Sequence, residues 1–127
     1  MKVERAVEGG TVRVTFQLSD PGRWVLHWGT AAREGGPWKA ANRAFWPGDS
    51  VAHGPAAVQS PFKADSEGGR LVLSFPEDQS PAFLVFDLFR PDTNTWDNNR
   101  GRDYWLRLAE PPPAPSDVLK QTQGDAA

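Results

Sequence analysis

The segment TWDNNRGRDYWLRL, residues 95–108, places a large aromatic side chain directly before an acid and two amides. The amides and the following glycine suffice for a turn, so the tryptophan needs its own explanation. A sugar ring presents apolar C–H faces and a belt of hydroxyls, and its complement is a flat aromatic ring edged by hydrogen-bonding groups. Trp96, Asp97, Asn98 and Asn99 have the composition of such a surface, and a turn-making role for the two amides is compatible with it.

The tryptophans are unusually numerous, with six Trp against one Tyr. Trp24 and Trp28 recur at alternate positions of RWVLHWGT, which fits the core-facing side of a strand. Trp38 and Trp96 lie instead among Gly, Pro and Asn residues, away from any alternating apolar face. They could form an exposed binding platform, or each could fold back as a plug over the core, and the residues alone leave both interpretations open.

Other chemistries find little support in these residues. His27 and His53 are far apart and belong to no motif spaced for a metal ion, and the chain has no cysteine. The glycine pairs match no phosphate-binding loop or dinucleotide fingerprint, and no serine lies in a nucleophile elbow. We therefore expect no metal site, no cofactor and no catalytic activity.

Charge and hydropathy narrow the range of partners. The chain of 127 residues carries 14 Lys+Arg and 16 Asp+Glu, without a basic face, so nucleic acid is not an expected partner. No apolar run approaches the roughly 20 residues of a membrane span, so a membrane is not expected either. The length suits one domain.

Alternating apolar residues predict several short strands. TVRVTFQL reads as a half-buried strand, and AFLVFDLFR as a central strand that is covered on both faces. In RWVLHWGT, Trp28 is expected to face the core and His27 to face outward. With further strands in PFKAD, RLVLSF and RDYWLRLA, the sequence predicts an all-β fold, an antiparallel immunoglobulin-like β-sandwich.

The domain boundaries follow from composition. Residues 30–61 are irregular and rich in Gly and Pro, with room for one helical turn in KAANRAFW. We expect the folded domain to cover residues 8–110. Residues 111–127 begin with a polyproline-type stretch and are predicted to form a Pro-rich linker and a disordered tail.

Five segments in order along the chain resemble a known family: VLHWGT, GPWKAANRAFWPGDS, SPF, AFLVFDLF and TWDNNRGRDYWLRL. They are similar to the starch-binding carbohydrate-binding modules of glucan, water dikinases and plastid α-amylases (family 45 type, related to families 25 and 53). The resemblance covers residues 12–108 and implies a non-catalytic sandwich that binds α-1,4-glucan.

The resemblance also implies roles for individual residues. Trp38 and Trp96 would cradle the glucan, while His27 and the two amides bond to its hydroxyls. Lys39 is a further candidate beside Trp38. Trp46 either replaces or joins Trp38, because the stretch around it is longer here than in the dikinases. The residues assigned to glucan are thus Trp38, Trp96, His27, Asn98, Asn99, Lys39, Asp97 and Trp46.

Two other functions are compatible with the sequence. Trp38, Trp46 and Trp105 could form a patch for a partner protein. Alternatively, the domain is an appendage of an enzyme that phosphorylates or degrades starch. In the glucan-binding hypothesis the partner is an α-glucan or a maltooligosaccharide, the domain is a monomer tethered to another domain, and a plant or green-algal origin would imply the plastid.

Overall fold

A computed structural model describes residues 1–20 and 22–109, and this part of the chain forms two antiparallel sheets. One sheet has the order β1-β2-β7-β6, and the other has the order β10-β8-β3-β5-β4, with β9 also paired to β8. The predicted linker and tail, residues 111–127, lie outside the described residues. The strands are β1 (Lys2–Glu8), β2 (Thr11–Leu18), β3 (Val25–Ala31), β4 (Val51–His53), β5 (Ala57–Pro61), β6 (Lys63–Asp65), β7 (Gly68–Pro76), β8 (Phe83–Arg90), β9 (Thr95–Asp97) and β10 (Tyr104–Arg107).

The core lies between the two sheets and confirms the predicted immunoglobulin-like sandwich. Alternate residues of β2 and β7 face it from one sheet, and alternate residues of β3 and β8 face it from the other. Strand β8 is buried on both faces over its first six residues, as the apolar run predicted. The fully buried aromatic and aliphatic side chains include Trp28, Phe16, Phe75, Leu26, Leu73 and Leu84.

The orientation of β3 decides which residues face outward. Trp28 is fully buried, and its indole Nε1 donates a hydrogen bond to Ser60 Oγ at 2.9 Å. Because successive side chains alternate between the faces of a strand, His27 points to the outer face of the six-stranded sheet. The expected orientation of this strand is confirmed.

The structure contains strands where the sequence predicted none. Strand β1 pairs with β2 along its whole length, although the domain was expected to begin only at residue 8. The irregular stretch 30–61 holds β4 and β5, and its expected helical turn is a 3-10 turn at Arg43–Phe45. These strands are short or lie at sheet edges, so they lack a long alternating apolar pattern. Among the described residues, no helix is long and apolar enough to span a membrane.

Candidate functional site

An outward-facing group of rings surrounds His27 on the six-stranded sheet. The centroid of its imidazole lies 5.6 Å from that of Trp38, 5.2 Å from that of Trp96 and 4.9 Å from that of His53. We call these four residues the aromatic platform. It joins side chains from β3, β4, β9 and the loop after β3, which are distant in the chain.

Trp96 reaches the platform from β9, a strand at the edge of β8. It lies directly opposite Phe89, with the two ring centroids 4.5 Å apart. The Trp96 side chain remains 42% exposed, which is high for a large aromatic residue. Trp96 is therefore not a plug over the core, and its outer surface is open to a ligand.

Trp38 is held against β3 by its neighbour in the chain. The Lys39 backbone exchanges two hydrogen bonds with Thr30, each 2.8 Å long, and this bridge brings the Trp38 ring over Gly29. Trp38 is half-buried, whereas Lys39 is exposed. A Cβ atom at Gly29 would lie 3.0 Å from Trp38 Cε3 and 2.7 Å from the Ala56 carbonyl oxygen. The missing side chain of Gly29 thus makes room for the indole.

Substitution of Gly29 by alanine should disturb the platform. The Ala56 carbonyl belongs to the backbone and cannot swing away, so we expect a loss of about 1–3 kcal/mol in the free energy of unfolding. Displacement of Trp38 should also weaken binding of any ligand that covers it. Urea denaturation and a binding titration measure the two effects. Gly48→Ala is the matched control, because a Cβ atom at Gly48 would have no neighbour within 4 Å. Equal stability of the two variants would contradict this prediction.

His27 can donate a hydrogen bond at the centre of the platform. Gln59 Nε2 lies 3.2 Å from His27 Nδ1. Because an amide nitrogen only donates, Nδ1 accepts and the neutral ring carries its proton on Nε2. Burial lowers the pKa of His27, and the charge of His53 acts in the same direction, so the ring is neutral at neutral pH.

The two candidate amides close the turn after Trp96. Asn98 Oδ1 accepts from the Gly101 amide at 2.9 Å, and Asn99 Nδ2 donates to the Asp103 carbonyl at 2.9 Å. Asp97 Oδ1 accepts from the Tyr104 hydroxyl at 2.8 Å. Their turn-making role is thus evident, and all three predicted residues remain exposed beside Trp96.

Asp87 is a buried acid below the platform, and it pairs across the strands with His27. Its side chain is 7% exposed, and its Oδ1 atom has no hydrogen-bond partner among the described residues. Burial raises the pKa of Asp87 to about 7, and the neighbouring carboxyls of Asp103 and Asp97 act in the same direction. Asp87 is therefore largely protonated below neutral pH.

Two further tryptophans lie outside the platform. Trp46 packs against the core, and its Nε1 donates to the Ala41 carbonyl at 2.9 Å. Trp105 packs edge-on against Phe83, with the ring centroids 6.4 Å apart. The structure therefore brings together Trp38, His27 and Trp96 but not Trp46. In the described part of the chain, no cluster of three acids or histidines could hold a metal ion.

Several members of the site were not predicted from the sequence. His53, Gln59, Phe89 and Asp87 come next to His27 or Trp96 only because β4, β5 and β8 pair as they do. Of these residues, only Asp87 could have been recognised in the sequence. It interrupts the apolar run AFLVFDLFR, and a charged residue is rarely buried without a specific partner.

The topology defines an immunoglobulin-like domain, and the aromatic platform lies on the outer face of its six-stranded sheet. The chain belongs to the family described as the alpha-glucan water dikinase 1 Ig-like N-terminal domain, whose model matches residues 1–108. The family thus comprises an appended domain of an enzyme and not its catalytic part.

One curated relative is Alpha-amylase 3, chloroplastic, from Arabidopsis thaliana. It is 29% identical over 114 residues, which cover 86% of this chain but only 13% of the relative. No solved structure matches the chain at a significant level. Both findings on related proteins connect this domain with enzymes of starch metabolism, as the resemblance in sequence predicted.

Proposed function

We propose that this domain is a non-catalytic, family 45-type module that binds α-1,4-glucan through the aromatic platform. The observation that supports the proposal is the placement of two indoles beside a neutral histidine: the ring centroids of Trp38 and Trp96 lie 5.6 and 5.2 Å from that of His27. The indoles offer apolar faces to glucosyl rings, and His27 Nε2 offers a hydrogen bond to a hydroxyl.

The inclination of the rings favours a curved ligand. The plane of His27 is tilted by 46° to Trp38 and by 88° to Trp96, so the platform is not a flat strip. An α-1,4-glucan follows a curved path, whereas a β-1,4-glucan is flat and would suit coplanar aromatic rings. Starch, amylose and maltooligosaccharides are therefore the proposed ligands.

Related proteins support the proposed attachment of this domain to an enzyme of starch metabolism. The family name places such a domain at the N-terminus of a dikinase, and the Arabidopsis relative is named as a chloroplastic amylase. In this proposal the domain is a monomeric module that targets an attached or partner protein to starch, in the plastid if the source is a plant or a green alga.

The alternative of a protein-binding patch has less support. It required Trp38, Trp46 and Trp105 to act as one surface, but Trp46 packs against the core and Trp105 packs on Phe83. The glucan-binding proposal needs only side chains that lie beside His27.

Titration with maltoheptaose tests the proposal. We expect quenching of tryptophan fluorescence with a dissociation constant in the micromolar to millimolar range, about −4 to −8 kcal/mol, as is usual for a shallow site. Cellohexaose is the matched control, because it has the same sugar units in a flat β-linked chain. If neither maltoheptaose nor β-cyclodextrin binds, or if cellohexaose binds equally well, the proposed ligand is wrong.

A further inference from the structure

A groove of about 740 Å³ adjoins the aromatic platform. Trp38 belongs to both, since its indole lies beside His27 and also lines the groove. The rest of the lining comes from the end of β3, from the neighbours of Trp38 and from the residues just before β8, and it includes Thr30, Ala31, Ala32, Pro81 and Ala82. The proposed function involves Trp38 only as part of the platform and leaves the groove without a role.

The platform follows the axis of β3. Trp96 stands level with Val25, the first residue of that strand, because both are paired with Phe89. His27 is the next outward-facing residue of β3, and the centroid of its ring lies 5.2 Å from that of Trp96. A ligand that touches both rings can therefore lie along this strand.

The groove lies further along the same line. The Trp38 ring covers Gly29, which is the outward-facing residue after His27. The next one, Ala31, ends β3 and lines the groove. From Val25 to Ala31 the strand spans about 20 Å at the usual rise per residue. Platform and groove thus form one continuous track that is several times longer than a sugar ring.

Backbone hydrogen bonds hold two parts of the groove wall in place. The Lys39 amide and carbonyl each bond to Thr30 at 2.8 Å, which fixes the segment that carries Trp38. The Ala82 carbonyl accepts from the Leu108 amide at 2.8 Å, which fixes the segment before β8. The groove is therefore preformed, as ligand sites usually are.

The lining of the groove suits a neutral polyol with apolar C–H faces. Carbon atoms of alanine, proline and the Trp38 indole form most of its surface. Arg33 and Lys39 are exposed at the groove, and no acid lines it in the part of the chain that the structure describes. Guanidinium and ammonium groups only donate hydrogen bonds, which hydroxyl oxygens accept. The groove thus repeats the combination of apolar surface and donors that the platform offers.

We infer that the groove extends the glucan site and holds the glucosyl units that follow those on Trp96 and Trp38. This inference rests on the proposed function and adds a preference to it: the domain selects α-1,4-glucan chains that are longer than a trisaccharide. A trisaccharide occupies the platform alone. A longer chain passes Trp38 and enters the groove, where Arg33 and Lys39 bond to its hydroxyls.

Two variants that alter the groove test this inference. Ala32→Ile places a stiff, branched side chain at an exposed position of the lining, and Arg33→Ala removes a donor. Calorimetric titration gives the ratio of the affinities for maltoheptaose and maltotriose. We expect this ratio to fall by about five- to tenfold in Ala32→Ile and by a smaller factor in Arg33→Ala, with maltotriose affinity unchanged. A long chain can also occupy a short site in several registers, but the variants leave that advantage unaltered.

Ala64→Ile and Arg70→Ala are the matched controls, because both residues are exposed on the other sheet. They should keep the ratio of the parent protein. An unchanged ratio in both groove variants would overturn the inference and leave the groove to another occupant, while the proposed function would stand. If the parent protein binds neither oligosaccharide, the proposed function and the inference both fail.

A measurement on the unmodified protein decides the matter even if a groove variant does not fold. Saturation with maltoheptaose should shift the backbone amide NMR signals of Ala32 and Ala82 as well as the indole signal of Trp96. Maltotriose should shift the Trp96 signal with little effect on the two alanines. If maltoheptaose moves the Trp96 signal and leaves both alanine signals in place, the glucan binds on the platform alone and the extension is wrong.

Discussion

Replacement of Trp96 by alanine is expected to remove about 1–3 kcal/mol of glucan-binding free energy, a loss of about 5- to 150-fold in affinity. The indole is 42% exposed, lies against Phe89 and flanks His27, so it offers an apolar face that alanine cannot replace. The fold should remain intact, because β9 is a three-residue edge strand without buried residues. Calorimetric titration with maltoheptaose and thermal unfolding measure the two quantities.

Trp105→Ala is the matched control for this substitution. Trp105 is a half-buried indole on β10, but it packs on Phe83 and not on the platform. We expect it to leave maltoheptaose affinity unchanged. If Trp105→Ala lowers the affinity as much as Trp96→Ala does, the site is not the platform around His27. A large loss of stability in Trp96→Ala would show that this residue serves the fold instead.

Replacement of Trp28 by alanine should have the largest effect on stability. Trp28 is fully buried, and its removal leaves a cavity between the sheets and deprives Ser60 Oγ of a donor at 2.9 Å. Large aromatic-to-alanine changes in a core cost about 3–5 kcal/mol, a large share of the 5–15 kcal/mol that stabilises a typical domain. Urea denaturation measures the loss.

Trp28→Phe is the conservative comparison, since it keeps an aromatic ring but removes the indole donor. Its loss of stability should be smaller than that of alanine, because the ring fills part of the volume and the Ser60 hydroxyl keeps its bond with Ser50 Oγ at 2.7 Å. A Trp28→Ala variant that is fully stable but has lost glucan binding would mean that β3 is turned over, with Trp28 outward. In that case His27 would leave the platform.

Strong alternation along the chain made much of the sandwich predictable. In β2 and β7 every second side chain is buried, so the apolar period in TVRVTFQL and RLVLSF indicates both the strand and its inner face. The short strands β4 and β5 have no such alternation of apolar residues. Strand β4 is fully exposed, and β5 buries small residues such as Ala57 and Ser60, whose types do not distinguish a strand from a loop.

The site was predictable only in part, for a similar reason. The residue types around Trp96 and the resemblance to starch-binding modules led to Trp38, His27 and Trp96, which the structure brings together. The proximity of His53 depends on the pairing of β4 with β5 and of β5 with β3, which no local pattern specifies. Trp46 shares its residue type with the platform tryptophans, so composition could not reveal that it packs against the core.

Leu108 and Ala109, which follow β10, are bound at the end of the sandwich where β8 begins. The amides of Leu108 and Ala109 both donate to the Ala82 carbonyl, at 2.8 and 3.3 Å, just before β8 begins. Phe89, which supports Trp96, lies near the other end of that strand, about 20 Å away at the usual rise per residue. A domain joined after Ala109 would thus start well away from Trp96, which leaves a long polymer free to pass across that ring without steric conflict.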